Sequence, residues 1–443
     1  MESNEPKFKQ TEIGLVPKDW DVKELQEVCA LIYRYPSFYG MEKFNDGVPV
    51  IRGEHILPDG SISANWDDYW FVSEEYSKKF PKTILEKDDI IMSVRGNIGA
   101  LAFVQREHEG AQISPNVIRI KPDLKKIEPR FVYFALCLRQ TRDFILGTSS
   151  SSAVPAIRAA DIKIARIPLP CRNEQRKIAD ILSAIDDRVN LNIGINKNLE
   201  AIGQTTFKQW FVDFEFPNEE GKPYKSSDGE MAESEKGEIP KGWSTTELKN
   251  LGRIVCGKTP PKANKEFFGG NVPFIKIPDM HGRSFIINTE DTLTDEGERY
   301  QANKSVPANS ICVSCIATVG LVSITTKKSQ TNQQINCIIP HEEFFLSYLF
   351  YTMKSLRREL EDLGSGGSAT LNVNTNTFSN IQLIAPKIEL VKEFYRLTAP
   401  LLTRLRANLT ENQILSQIRD CLLPKLMSGK IRVPVPKENV ETQ

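Results

Sequence analysis

The sequence predicts an α+β chain: two similar mixed α/β domains separated by two long helices paired as a coiled coil, an internal duplication with pseudo-two-fold symmetry. Three observations predict it. The chain repeats itself at a very long period, each repeat carries short β-like runs, and each repeat closes on one long heptad-patterned stretch.

The repeat is an ordered series of matches. Gly14, Pro17, Lys18, Trp20, Glu24 and Leu25 recur as Gly237, Pro240, Lys241, Trp243, Glu247 and Leu248, an offset of 223 between Trp20 and Trp243. Val48-Pro49-x-Ile51 recurs as Val272-Pro273-x-Ile275. Ile90, Ser93 and Gly99 recur as Ile311, Ser314 and Gly320, and Gly147 as Gly364. Pro170, Arg188, Asn192, Asn196, Leu199 and Ile202 recur as Pro386, Arg404, Asn408, Asn412, Leu415 and Ile418, an offset of 216 between Asn192 and Asn408. The slow drift is that of loop insertions, and a period this long means two whole domains.

Within each repeat, short runs rich in β-branched residues read as strands. They lie at 48–51, 90–94 and 117–120, then at 274–277, 311–315 and 334–338. Turn clusters such as Asn45-Asp46-Gly47 and Gly269-Gly270-Asn271 punctuate them. A short amphipathic helix is expected near 130–142 and near 343–360. The long helices follow. Ile178, Leu182, Ile185, Val189, Asn192, Asn196 and Leu199 step by three and four, and so do Phe394, Thr398, Leu401, Leu405, Asn408, Asn412 and Leu415. That is a heptad-type stripe. Polar residues on such a seam fix register, so Ile185, Val189, Asn192 and Asn196 are expected to pair with Leu401, Leu405, Asn408 and Asn412. The expected segments are 1–170, first domain; 171–216, central helix; 217–236, a polar surface linker; 237–386, second domain; 387–431, distal helix; and 432–443, a tail. The aromatic cluster Phe207, Trp210, Phe211 and Phe214 is either a local cap on the helix end or a docking surface for a partner.

The composition is ordinary and globular, with 40% hydrophobic and 26% charged residues. Nothing at the N-terminus looks like an apolar export signal, no run is long enough for a membrane span, and a cytoplasmic protein is expected. The eight cysteines show no paired framework and are expected as free thiols. Lys+Arg and Asp+Glu are both 57, so any affinity for DNA must come from local patches.

No catalytic constellation emerges. Gly252-x4-Gly257-Lys258-Thr259 matches the phosphate-loop pattern, but Pro260 and Pro261 remove amide donors where the helix should begin. Cys312-x-x-Cys315 lies in an expected strand, where odd spacing points the thiols to opposite faces. The four histidines have no ligand spacing, so no metal is expected.

Several segments together resemble the specificity subunits of type I restriction-modification systems. Each half opens on an Ile/Val-Pro-Lys-x-Trp element, ending at Trp20 and Trp243. Gly257-Lys258-Thr259-Pro260 before Val272-Pro273-Phe274-Ile275-Lys276 is similar to the opening of a family recognition domain. Ser93-x-Arg95-Gly96-Asn97-Ile98-Gly99 resembles a recurrent family loop; the second half has Ile316-Ala317-Thr318-Val319-Gly320 there and lacks the Arg-Gly pair. Asn173-Glu174-Gln175-Arg176-Lys177-Ile178-Ala179, with Trp210-Phe211-Val212-Asp213-Phe214 beyond it, resembles the central conserved region, and residues 422–431 the distal one.

The resemblance implies a non-catalytic subunit whose two target-recognition domains each read one half of a split double-stranded DNA site. The helices would hold them apart and bind two methyltransferase subunits, which use S-adenosylmethionine; separate motor-nuclease subunits use ATP and Mg. No cofactor is expected on this chain. Candidate DNA contacts in the first half are Arg34, Arg52, Arg95, Asn97, Ser149 and Ser150. Those in the second are Lys258, Lys262, Lys265, Lys276, Thr318 and Ser365. Alternatives are an autonomous duplicated DNA-binding regulator and a coiled-coil scaffold without DNA binding.

Overall fold

The computed structural model describes residues 8–35, 42–57, 59–63, 65–95, 97–147, 157–365 and 371–434. The chain divides into two compact units, Met1–Arg188 with Leu415–Gln443, and Val189–Ile414. The division cuts both long helices, because each unit takes one part of each.

The first unit is built on a four-stranded antiparallel sheet in the order Cys29–Arg34, Val117–Pro122, Ile90–Ser93, Leu101–Phe103. Its strands read as continuous apolar runs because both faces are covered. Ile90 and Met92 point into one core with Trp20, Phe131 and Phe134, while Ile91 points into a second with Ile51 and Leu85. Alternation therefore separates two cores rather than core from solvent. A three-stranded sheet, Trp70–Val72, Val48–Ile51, Gln112–Ile113, accompanies it.

The second unit repeats this order. Gly252–Cys256, Ile335–Pro340, Ile311–Ser314 and Val322–Thr325 form the main sheet, extended by Phe285–Ile286. Asp291–Leu293, Phe268–Ile275 and Gln330–Thr331 form the small one. Cys312 lies in one core and Cys315 in the other, on opposite faces as their spacing predicts. The repeat extends to single backbone conformations. Asp88 and Asn309, Gly99 and Gly320, and Gly14 and Gly237 all have positive φ.

Three expectations need correction. Residues 217–236 are not merely a surface linker. Phe216 stacks on Tyr224 at 4.6 Å, and Met231–Ser234 pairs with Gly237–Pro240 as a hairpin. That hairpin matches Phe8–Thr11 with Gly14–Pro17, down to the hydroxyl bond that closes each turn: Thr11 Oγ1 to Gly14 O at 2.7 Å, Ser234 Oγ to Gly237 O at 2.6 Å. Backbone pairing holds this mostly polar segment, with Tyr224 and Met231 packed against the core. Each short amphipathic helix is two: Pro129–Cys137 and Arg139–Gly147, then Phe345–Ser355 and Arg357–Gly364.

The third concerns the seam. The long helices, Arg172–Phe211 and Ile388–Met427, have 40 residues each, about 60 Å at 1.5 Å per residue. The second runs through Pro400 and Pro424, which remove two helical donors. Its buried stripe is Val391, Phe394, Thr398, Leu402 and Leu405, so Leu402 takes the place expected of the half-buried Leu401. A straight helix has 3.6 residues per turn, and its buried face drifts off a strict heptad.

Inside the second unit the asparagines meet crosswise. Asn408 Nδ2 donates to Asn196 Oδ1 at 2.8 Å, and Asn192 Nδ2 to Asn412 Oδ1 at 2.8 Å. As one number rises the other falls, so these stretches run antiparallel. Inside the first unit, Arg419 Nη1 donates to Asp186 Oδ1 at 3.0 Å. Ile185 and Val189 are half-buried.

Asn196→Ala should leave the buried Asn408 amide without its acceptor and cost about 1–3 kcal/mol in chemical denaturation. Asn196→Leu with Asn408→Leu should recover most of that loss, because no orphaned amide remains. Equal losses for single and double variants would show that the hydrogen bond is not the stabilising element.

Candidate nucleic-acid interface

The antiparallel order of the main sheet brings three chain ends to one edge in each unit. In the first unit Arg34 sits opposite Ile118, and Val117 opposite Ser93. The segments beyond, carrying Asn116, Arg95 and Asn97, share that edge. Arg34 Nε donates to Pro115 O at 2.9 Å. Partial burial, and then the nearby charge of Arg95, lower the Arg34 pKa from its ordinary value. Neither arginine has an ion-pair partner among the described residues, and Arg95 is exposed. Two neighbouring cations without an acid make a place for an anion. Asn97 is exposed and lines a cavity with Tyr133, Asp186 and Arg419; Ser149 and Ser150 lie outside the described residues.

In the second unit Cys256 sits opposite Asn336, and Ser314 opposite Ile335. The corresponding edge carries residues 257–259, 332–334 and 316–318. Its backbone is tied down. Gly257 N donates to Ile335 O at 3.1 Å, Lys258 N to Thr331 O at 2.9 Å, and Gln301 Nε2 to Lys258 O at 2.7 Å. A Cβ on Gly257 would lie 2.1 Å from Asn332 O, so the two backbones touch only because the residue is glycine. Thr259 Oγ1 donates to Gln333 Oε1 at 2.8 Å. Lys258, Lys262 and Lys265 are exposed, with no ion-pair partner among the described residues. Ala317 takes φ 65°, and its N–H donates to Leu371 O at 3.0 Å, which brings the chain after the short helices back to this edge. Thr318 is half-buried there; Ser365 is exposed and donates to Asp362 O at 2.7 Å.

Two candidates are held inside the fold instead. Arg52 pairs with Glu54 at 2.5 Å, donates to Asp68 O at 2.8 Å and lies over the Trp70 ring. Lys276 pairs with Asp291, whose hydrogen bond raises its pKa. Asp279, which matches His55 in the repeat, is structural: its carboxylate accepts from Lys276 N at 2.8 Å and Glu290 N at 3.0 Å.

The aromatic cluster is corrected outright as a docking surface. Phe207, Trp210, Phe211 and Phe214 are buried in the second unit's core against Tyr348, Phe394 and Trp243. They belong to the core of the unit rather than to a cap confined to the helix end. In the first unit Leu426 and Met427 pack with Trp20 in the same manner. Trp20 Nε1 donates to Glu174 Oε2 at 3.0 Å, and Arg432 bridges Glu174 and Asp19. The phosphate-loop match is also resolved: Gly252–Cys256 is a strand. Among the described residues no group of three His, Cys, Asp or Glu forms a metal site, and no helix is long and apolar enough to cross a membrane.

Two features escaped the sequence reading. Gln333 is one; the only signal for it was polarity just before a strand. The other is the exposure of apolar positions duplicated on the long helices, Ile202 with Ile418, already matched in the repeat, and Ile181 with Leu397. Ile181 and Leu397 share the offset of 216 as well, so the repeat alignment extends to them.

Gly257→Ala should destabilise the second unit by roughly 1–3 kcal/mol, because backbone rather than a mobile side chain opposes the new methyl. Gly194→Ala, in the first long helix with nothing within 4 Å, should gain about 1 kcal/mol. Thermal melts of both variants decide it; a silent Gly257→Ala would contradict the close approach.

Comparison with known proteins agrees with this architecture. The family model described as "Type I restriction modification DNA specificity domain" matches twice, at residues 17–201 and 240–419. The HindI specificity subunit of Haemophilus influenzae is 38% identical over 405 residues, covering 79% of this chain and 88% of that one. The MjaIX specificity subunit of Methanocaldococcus jannaschii is 24% identical over 97% of both chains. The crystal structure of a type I restriction-modification S subunit from M. genitalium superposes with a TM-score of 0.59 at 15% identity, covering 95% of this chain and 98% of that one, and shares the fold. Two copies of one domain, with matching sheets and a long helix closing each, place this chain in the family of type I restriction-modification specificity subunits.

Proposed function

We propose that the two sheet edges are the DNA-reading surfaces of this specificity subunit, each taking one half of a bipartite double-stranded site. The observation that carries the reading is that the same edge recurs in both units with different chemistry. It bears Arg34 and Arg95 in one, and Lys258, Thr259 and Gln333 in the other. Cations at such an edge bind phosphates and set position, while neighbouring polar side chains reach bases. A scaffold without DNA binding leaves this duplicated edge idle; a regulator acting alone would use it, but leaves the exposed apolar positions repeated on the long helices without a partner.

The same reading makes the chain a non-catalytic member of a cytoplasmic complex. Two methyltransferase subunits supply S-adenosylmethionine chemistry, motor-nuclease subunits supply ATP- and Mg-dependent work, and this chain binds none of those cofactors. With the aromatic cluster buried, the candidate docking positions become the exposed Ile181 and Ile418 of the first unit and, separately, their repeats Leu397 and Ile202 of the second. Apolar side chains exposed at duplicated positions suit one partner surface used twice.

The test uses the chain purified alone and assembled with its methyltransferase. The chain alone should transfer no methyl group to DNA; the assembly should. In the assembly, changing Lys258, Lys262 and Lys265 together to Ala should weaken binding to all sequences and flatten the dependence of log K on log salt, by up to roughly three units of slope. Methyl transfer by the rigorously purified chain, or an unchanged slope, would overturn the corresponding part of the proposal.

A further inference from the structure

We infer that Gln333 reads an adenine in the half-site taken by the second unit, with Thr259 anchoring its amide. The inference rests on the DNA-reading role proposed above and adds a specific base contact to it.

Gln333 is exposed at the sheet edge, beside the exposed Lys258. Its amide is tethered to the fold. Thr259 Oγ1 donates to Oε1 at 2.8 Å, which anchors the side chain and leaves the amide N–H groups on the other side. The carbonyl keeps a second acceptor position. An amide presenting one acceptor and one donor side by side matches the major-groove edge of adenine, whose N6 amino group donates and N7 accepts.

The support beneath this side chain is rigid. Asn332 Oδ1 accepts from Gln334 N at 3.1 Å, and Asn332 Nδ2 donates to Gln334 Oε1 at 2.9 Å. Thr331 O receives Lys258 N, and Ile335 O receives Gly257 N. Gln333 therefore stands on a turn whose backbone is bonded on both sides, and a reader placed on a locked turn discriminates more sharply than one on a loose loop. Lys258, next to Thr259 in the chain, supplies a charge that would hold a phosphate while the amide meets the base.

The first unit lacks the pair. Pro115 precedes Asn116 and the strand at Val117 where Gln333 precedes Gln334 and the strand at Ile335, and Arg34 binds the Pro115 carbonyl. A proline offers no side-chain hydrogen bond. The adenine contact thus belongs to one half-site only.

The experiment maps methylated sites on random-sequence DNA with the complete complex of this chain and its methyltransferase. Gln333→Ala should relax one position, an A·T pair in the wild-type site, lowering discrimination there by roughly ten- to one-hundred-fold. All other positions and the other half-site should stay as they were. Thr259→Val, which removes the hydroxyl donor and keeps the shape, should relax the same position by a smaller factor. The inference fails if Gln333→Ala leaves every position unchanged, if the position that relaxes is a G·C pair, or if it lies in the half-site that changes when the first domain is exchanged. A uniform loss of binding in an intact assembly would also reject it, making Gln333 a positioning residue. Failure of the wild-type complex to select any sequence would instead reject the DNA-reading role itself.

Discussion

Each unit completes its core with the far end of the helix that begins in the other unit, and the rest of the structure depends on that exchange. The second unit closes on Phe207, Trp210 and Phe211 at the end of the first long helix, packed against Phe394 near the start of the second. The first unit closes on Leu426 and Met427, packed with Ile178 and Leu182 near the start of the first. Burying an aromatic or large aliphatic side chain is worth about 1.5–3 kcal/mol, so removing either helix end opens a core. The tryptophans of the two opening elements sit at these closures. Trp20 is held by Glu174 and covered by Arg432, while Trp243 stacks on Phe216.

This exchange explains why the two halves diverge at one end and agree at the other. The closing residues must fit a shared core, and a lost contact there costs the fold. The opposite sheet edge faces no such demand. There the first unit carries Arg34, Pro115 and Arg95, and the second Cys256, Gln333 and Ile316, on matching backbones. The buried ion pair of Arg119 with Asp89 in the first unit, whose repeat positions are Cys337 and Ser310, shows that even core polarity changes when its partners change together.

Much of this was legible in the residues. Gly14, Pro17 and Trp20 against Gly237, Pro240 and Trp243 disclosed the duplication, because turn residues and a buried indole tolerate little change. The β-branched runs located the central strands, and the stripe with its asparagines located the helices and their pairing. What was missed has physical causes. Met231–Ser234 has no alternating apolar pattern and pairs through its backbone, so hydrophobic patterning is silent about it. The aromatic run at Phe207 looks the same whether it faces a partner or its own core, and only the tertiary fold decides. A strict heptad points to Leu401, whereas the helix keeps its own period and buries Leu402. The lysines gave no sign of which were free: Lys276 meets Asp291 across strands, a contact invisible in linear spacing. Gln333 drew no attention because its meaning depends on Thr259, which is 74 residues away.

The central claim is that the chain consists of two independent readers on one frame of helices. Exchanging residues 1–170 for the matching domain of a relative keeps both helix ends and the whole of the second unit's closure. Methylated sites of the assembled complex would then be mapped on random DNA. The account predicts that one half-site takes on the relative's sequence while the other is retained. A change in both half-sites together, or in neither with the assembly intact, would contradict it.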